Sequence, residues 1–251
     1  MANLLYLVHR LPFPPNKGDK VRSYHLLKHL SERHRVYLGT FVDDPADEMH
    51  VPRVRAMCAD LHVVKLRPSI AKVRSLGNLF TGQAMSLRFY GDSGMRAWVE
   101  RVHGEHGIDA TVVFSSAMAQ YAWLGPEKPG APTLIDFVDV DSAKWSQYAT
   151  QHRWPFSWVY GLEGRRLLEY ERKVALRAQR AFFVTEKETA LFQQLAPECA
   201  PVIEAMGNGV DSDFFRPFPD RANPFGNAQI PIVFTGAMDY WPNVDAAKWF
   251  V

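Results

Sequence analysis

The feature that most constrains this chain is a recurring pair of patterns: a short run that is apolar at every position, then a stretch apolar at every third or fourth. Residues 4–8 (LLYLV) are the first such run. A strand apolar throughout is buried on both faces, as parallel strands are when helices cover both sides of a sheet. Residues 9–20 then form a loop holding Pro12, Pro14, Pro15 and Gly18, and Val21, Tyr24, Leu27 and Leu30 recur at helical spacing. Further strands are predicted over 35–42, 61–66, 110–114, 133–138, 181–185 and 202–205. Helices are predicted over 94–106, 161–180 and 186–195, the last opened by Thr185 and Glu188 at capping-box spacing. Alternating strands and helices predict an α/β fold with a Rossmann-like, doubly wound parallel sheet.

The pattern breaks near residues 215–229, where Pro217, Pro219, Pro224 and Gly226 read as a linker. It restarts with a strand over 232–235, a loop over 236–242, and a helix for which Asn243 is the expected N-cap. The expected organisation is a domain over 1–222, followed over 223–251 by the linker and first βα unit of an incomplete second Rossmann-like domain.

Composition excludes several classes. With 47% hydrophobic and 22% charged residues, the chain is neither disordered nor fibrous. A net charge of +2 argues against a nucleic-acid partner. Cys58 and Cys199 are too few for a disulfide framework and read as buried free thiols. His25 and His29, like His103 and His106, have helical spacing but no third ligand; they read as surface residues, and no metal site is expected. His9 and Arg10 interrupt the first apolar run, and no run of about 18 apolar residues follows, so a cytoplasmic protein is expected.

Candidate chemistry lies at strand ends. In open α/β sheets, ligands bind outside the carboxyl ends of the strands. The loop over 9–20 lies at such an end, and Gly18 lets a ligand approach the backbone closely. The loop has neither G-x-G-x-x-G nor a P-loop, which argues against a dehydrogenase and an NTPase. Asp136, Asp139 and Asp141 end another strand; they serve a hydroxyl-rich ligand or a general base, or Asp139 or Asp141 caps the next helix. Asn208-Gly209 marks a turn. Trp145, Tyr148, Trp154, Phe156, Trp158 and Tyr160 precede a basic helix face with Arg166, Lys173, Arg177 and Arg180. Core packing beside a solvated face is the favoured reading of these aromatics; contact with an anionic membrane is the alternative.

Five segments in order resemble a known family: RLPFPPNKGDKVRSYHLLKHL (10–30), DFVDVDSAKW (136–145), VTEKETALF (184–192), NGVDSDFFRP (208–217) and FTGAMDYWPNVDAAKWF (234–250). The chain resembles the N-terminal domain of family 4 glycosyltransferases of GT-B fold, most of all the sugar transferases of bacterial PEP-CTERM/exosortase systems. The resemblance implies retaining transfer of a hexosyl group from a nucleotide-diphosphate sugar to an acceptor hydroxyl, in exopolysaccharide or cell-surface glycan synthesis. It implies no metal and no cofactor beyond that donor substrate. Its implied partners are the nucleotide sugar, a glycan or lipid-linked acceptor, and peripheral contact with the inner face of the plasma membrane. Acceptor binding would fall to Asn16, Lys17, Gly18, Arg22, Asp136 and Asp139. The donor-side or interdomain residues would be Asn208, Gly209, Asp211, Gly236, Asp239 and Asn243. Catalytic groups would come after Val251, so the chain alone is expected to be inactive. The alternative is a non-catalytic module binding acceptor or membrane. One departure stands out: Asp136, Val138 and Asp139 occupy a stretch where many members carry a His.

Overall fold

Two-sided burial of the apolar strands requires a helical layer on each side, and the helices lie there. The structure is a computed structural model describing residues 1–124, 131–218, 222, 224, 225, 230–236, 238 and 241–251. The seven strands are β1 (Asn3–Val8), β2 (Arg35–Val42), β3 (Asp60–Lys65), β4 (Ala110–Phe114), β5 (Thr133–Val138), β6 (Arg180–Phe183) and β7 (Ile203–Ala205). All pairings are parallel, in the order β3-β2-β1-β4-β5-β6-β7. The chain winds outward from β1 to β3, then returns to place β4 on the other side of β1. The result is the doubly wound, Rossmann-like sheet expected from the alternation. Leu5 and Leu7 of β1 enter one core layer, and Tyr6 and Val8 the other, as the two-residue period of a strand requires.

The first face is covered by α1 (Gly18–Ser31) and α2 (Val51–Arg55), through Leu27 and Val54. Beyond β3 come two helices that the sequence reading did not find, α3 (Pro68–Leu76) and α4 (Met85–Phe89), and then α5 (Ser93–His106), the helix expected over 94–106. α5 packs Met95, Trp98, Val99 and Val102 on the second face, with Asp92 as its N-cap and Gly107 closing it at φ +55°. Its His103 is buried, so that histidine is not the surface residue expected. After β5 come α6 (Asp141–Gln151), α7 (Phe156–Arg177) and α8 (Glu186–Leu195). Val174 and Ala175 of α7 and Phe192 of α8 complete the second layer.

α7 also holds two helices by their N-termini. Glu163 is 1% exposed; it accepts the backbone N–H groups of Met85 at 2.6 Å and Ser86 at 2.8 Å, and the Ser86 hydroxyl at 2.6 Å. Glu171 is fully buried beside Ser142, whose N–H donates to it at 3.3 Å and whose Oγ lies 2.5 Å away. A carboxyl group suits a helix start, where N–H groups are unpaired and the dipole is positive. Neither Asp139 nor Asp141 caps α6; its first N–H groups go instead to Glu171 and, through Val140, to Glu188 at 2.7 Å. Glu188 is therefore only half of the expected capping box: Thr185 accepts its N–H at 3.1 Å, while its own carboxylate reaches α6. Gly164 lets α6 and α7 meet, since a Cβ there would stand 3.0 Å from the Ser142 carbonyl oxygen.

Residues 1–209 form one compact unit and residues 210–251 another. In the second, the described residues over 232–235 form no strand, contrary to expectation; a strand needs a paired neighbour, and the described residues there offer none. α9 (Trp241–Phe250) starts before Asn243, which lies in its first turn and is not the N-cap. Pro219, Gly226 and Asp239 lie outside the described residues.

Two predictions follow from α7. Gly164→Ala forces α6 and α7 apart and should cost about 1–3 kcal/mol in denaturant unfolding. Burial raises Glu171 from its ordinary 4.5 to about 8. The folded state then keeps a proton that the unfolded chain releases, so Glu171's contribution is complete below about pH 4.5 and lost as pH rises through about 8. Over that window wild-type stability should fall relative to Glu171→Gln, by up to about 1.4 kcal/mol per pH unit, as read from pH-dependent melts.

Candidate functional site

The order of the sheet puts its switch point between β1 and β4, where the winding direction reverses and where doubly wound folds receive ligands. His9 and Arg10 emerge directly from β1. The His9 ring stacks on Phe114, the last residue of β4, at 5.8 Å, and meets Tyr90 edge-on at 5.9 Å. Its Nε2 lies 3.4 Å from Asp19 Oδ2, while Nδ1 is buried without a hydrogen-bond partner among the described residues. Arg10 bridges two carboxylates: Nη1 is 3.3 Å from Asp19, and Nε and Nη2 are each 2.8 Å from Asp43, just beyond β2.

Charges there compensate one another. Burial opposes ionisation of Asp19, but the hydrogen bond and charge of His9, with Arg10, outweigh it and hold the carboxyl well below its usual range. Burial raises Asp141, against the pull of Lys144 and His9. Burial disfavours the Lys144 ammonium, yet Asp141 and Asp139 overcome this and raise its pKa. Lys144 Nζ stands 2.6 Å from Asp139 and 3.4 Å from Asp141. Carboxylates, an imidazole and fixed cations at one sheet edge can grip a hydroxyl-rich ligand and exchange a proton with it.

The backbone at this edge is bent. Ser115, directly after β4, has φ +77°, and Val138, ending β5, has φ +70°; β5 also shifts register against β6 between Asp136 and Val138. A β-branched residue there is a true outlier, and such strain clusters at binding and catalytic sites.

Of the expected acceptor residues, Asn16, Lys17 and Gly18 lie exposed where α1 begins, and a Cβ on Gly18 would meet nothing within 4 Å. Arg22 and Asp136 instead bind each other: Nε donates to Oδ2 at 2.7 Å and Nη2 to Oδ1 at 3.2 Å. Asn208, expected on the donor side, joins them by accepting Arg22 Nη1 at 3.0 Å, and the Gly207 carbonyl accepts it at 3.3 Å. Burial still raises the Asp136 pKa despite Arg22. This buried fork ties α1 to β5 and to the segment after β7. Gly209 is exposed beside it. Asp211 makes a turn, accepting the Phe214 N–H at 2.9 Å, and Gly236 lies against Asn243. The sequence reading did not single out His9, Arg10, Asp19, Asp43, Tyr90 or Lys144. His9, Arg10 and Asp43 carried a signal, being polar residues directly after apolar strands; Asp19, Tyr90 and Lys144 follow no strand directly and carried none. Among the described residues, no group of three His, Cys, Asp or Glu side chains is placed to hold a metal.

Arg22 and Asp136 are 8% and 2% exposed, so removing one partner strands a buried charge. Arg22→Met should destabilise the protein by about 3–5 kcal/mol in urea unfolding, and the double variant Arg22→Met/Asp136→Leu should recover most of that loss.

No family model matches the chain, and no curated protein matches it. Among solved structures, it is similar to sucrose-phosphate synthase from Thermosynechococcus elongatus, with a TM-score of 0.58 and 14% identity over 88% of this chain and 51% of that one. Weaker likenesses are the Candida albicans trehalose-6-phosphate phosphatase N-terminal domain (TM-score 0.48, 12% identity, 85% and 50% covered) and Glycyrrhiza uralensis UGT73P12 complexed with glycyrrhetinic acid 3-O-monoglucuronide (0.42, 11%, 84% and 49%). The chain thus spans about half the length of the solved structures it matches. At such identity the likeness is one of fold, and the fold is a Rossmann-like half of the GT-B kind.

Proposed function

We propose that this chain is the acceptor-side half of a GT-B glycosyltransferase. One observation carries the reading: the ring of His9, Arg10, Asp19 and Asp43 sits at the switch point of a sheet that matches half of sucrose-phosphate synthase. Carboxylates and an imidazole there suit an acceptor hydroxyl, which must be oriented and must lose its proton as the new glycosidic bond forms. The donor is a nucleotide-diphosphate sugar, bound mainly by a second α/β unit facing this edge. Cations and helix N-termini of that unit would stabilise the charge developing on the departing diphosphate. Closure of the two units would exclude water and favour transfer over hydrolysis. The resemblance noted above supports the finer assignment: retention, no metal, a family 4 enzyme and an exopolysaccharide or cell-surface glycan as product.

Gly18 gives the test, because its surroundings are open and a bulky side chain there does not disturb the fold. In the native polypeptide carrying this segment, Gly18→Trp should weaken acceptor binding at least about tenfold in calorimetric titration, leaving nucleotide binding unchanged. Residues 1–251 alone should give no sugar transfer from a panel of nucleotide-diphosphate sugars. Unchanged acceptor affinity, or turnover by residues 1–251, would overturn the assignment.

A further inference from the structure

The aromatic residues around the α6–α7 connection divide into two groups. Trp145, Tyr148 and Tyr160 pack against one another, with ring centroids 5.4–6.3 Å apart. Phe156 touches that cluster only at Tyr160, at 6.2 Å, and Trp154 and Trp158 make no ring contact with it among the described residues; the three are 59%, 80% and 53% exposed. The first group is half-buried by mutual packing, outside the two core layers, and the second is turned outward, so core packing, the favoured sequence reading, fails for the second. The basic face of α7 is also partly used internally: Arg166 donates to the carbonyls of Asn78 at 2.8 Å and Leu79 at 3.2 Å, and Arg177 lies over the Trp123 ring at 4.5 Å.

A second apolar surface lies on α3. Ala71 and Ser75 face inward, while Ile70, Val73 and Leu76 form a stripe 57%, 71% and 49% exposed. An apolar stripe turned outward reverses the usual arrangement of a helix covering a core. Glu163 and Arg166 fasten the segment after α3 to α7, whose first turn carries Phe156 and Trp158. At 1.5 Å per residue, that turn begins about 10 Å along the helix from Glu163. One helix therefore supports both surfaces.

Charge identifies the occupant. Residues 61–91 contain no Asp or Glu but include Lys65, Arg67, Lys72, Arg74 and Arg88; residues 142–162 contain none but include Lys144 and Arg153. The whole chain has 27 acidic residues, so two acid-free stretches around the two exposed apolar surfaces set this region apart. Lys72 and Arg153 are exposed and form no ion pair among the described residues. Tryptophans prefer the boundary between water and hydrocarbon, aliphatic stripes enter the acyl region, and unpaired cations meet anionic headgroups. A protein partner would be expected to leave acidic residues among the basic ones, for registry.

We propose that Trp154, Phe156 and Trp158, with the Ile70–Val73–Leu76 stripe of α3, dock this protein on an anionic lipid bilayer. The docking is peripheral, since no helix among the described residues is long and apolar enough to cross a membrane. The inference does not rest on sugar transfer, and its failure would leave the acceptor site untouched.

Vesicle flotation of the 251-residue chain tests it, using phosphatidylcholine vesicles with and without about one-third phosphatidylglycerol. The chain should bind the anionic vesicles at least about tenfold more tightly than the neutral ones, and less tightly as salt rises. Trp154→Ala/Trp158→Ala and Ile70→Ser/Val73→Ser should each lower the affinity about tenfold or more without changing the circular dichroism spectrum. Lys72→Glu/Arg153→Glu should remove the preference for anionic vesicles. Absence of binding to anionic vesicles, or affinities unchanged in these variants, would overturn the proposal. So would self-association in lipid-free solution that the same variants abolish, because a second copy of the chain would then be the occupant.

Discussion

The structure depends on two carboxyl groups of one helix. Glu163 and Glu171 lie eight residues apart on α7, each against the N-terminus of another helix. A helix start carries several unpaired N–H groups, and burying them without acceptors would be costly. α4 has five residues and cannot be stable on its own; its position relative to α7 is set by Glu163. α6 starts at the sheet edge where the polar ring lies, and Glu171 sets that start. Asp141 and Lys144, which compensate charge beside His9, belong to the first turn of α6. The electrostatics of the switch point thus rest on a contact made on the far side of α6.

The seven strands were legible because two-sided burial writes itself as unbroken apolar runs, which few other structures need. Thr185 was legible as a cap because its partner N–H is three residues away. Glu163 and Glu171 were not. Their partners lie 78 and 29 residues distant, and on a helix a buried glutamate looks like a solvated one. α3 escaped for the opposite reason: its apolar residues face outward, so its periodicity marks no core. The second unit shows the limit of local pattern, since residues 232–235 have the composition of a strand and no neighbour to pair with among the described residues.

Of the candidate site, single polar residues were legible and their pairing was not. Arg22, Asp136 and Asn208, picked out near strand ends, do meet. They meet as a buried fork whose donors and acceptors largely satisfy one another, which a list of polar residues does not reveal. The less conspicuous His9-Arg10 dipeptide stands at the switch point between β1 and β4.

The bent backbone of Ser115 and Val138 has a consequence for evolution and design. Left-handed conformation costs a non-glycine residue about 1–3 kcal/mol, and glycine almost nothing. The two positions end adjacent strands, so a drift to glycine at either would make the molecule easier to fold and leave that edge of the sheet freer to wander. A valine held there acts as a stiffener: it forgoes some thermodynamic margin so that the carboxyl end of β5 keeps one direction.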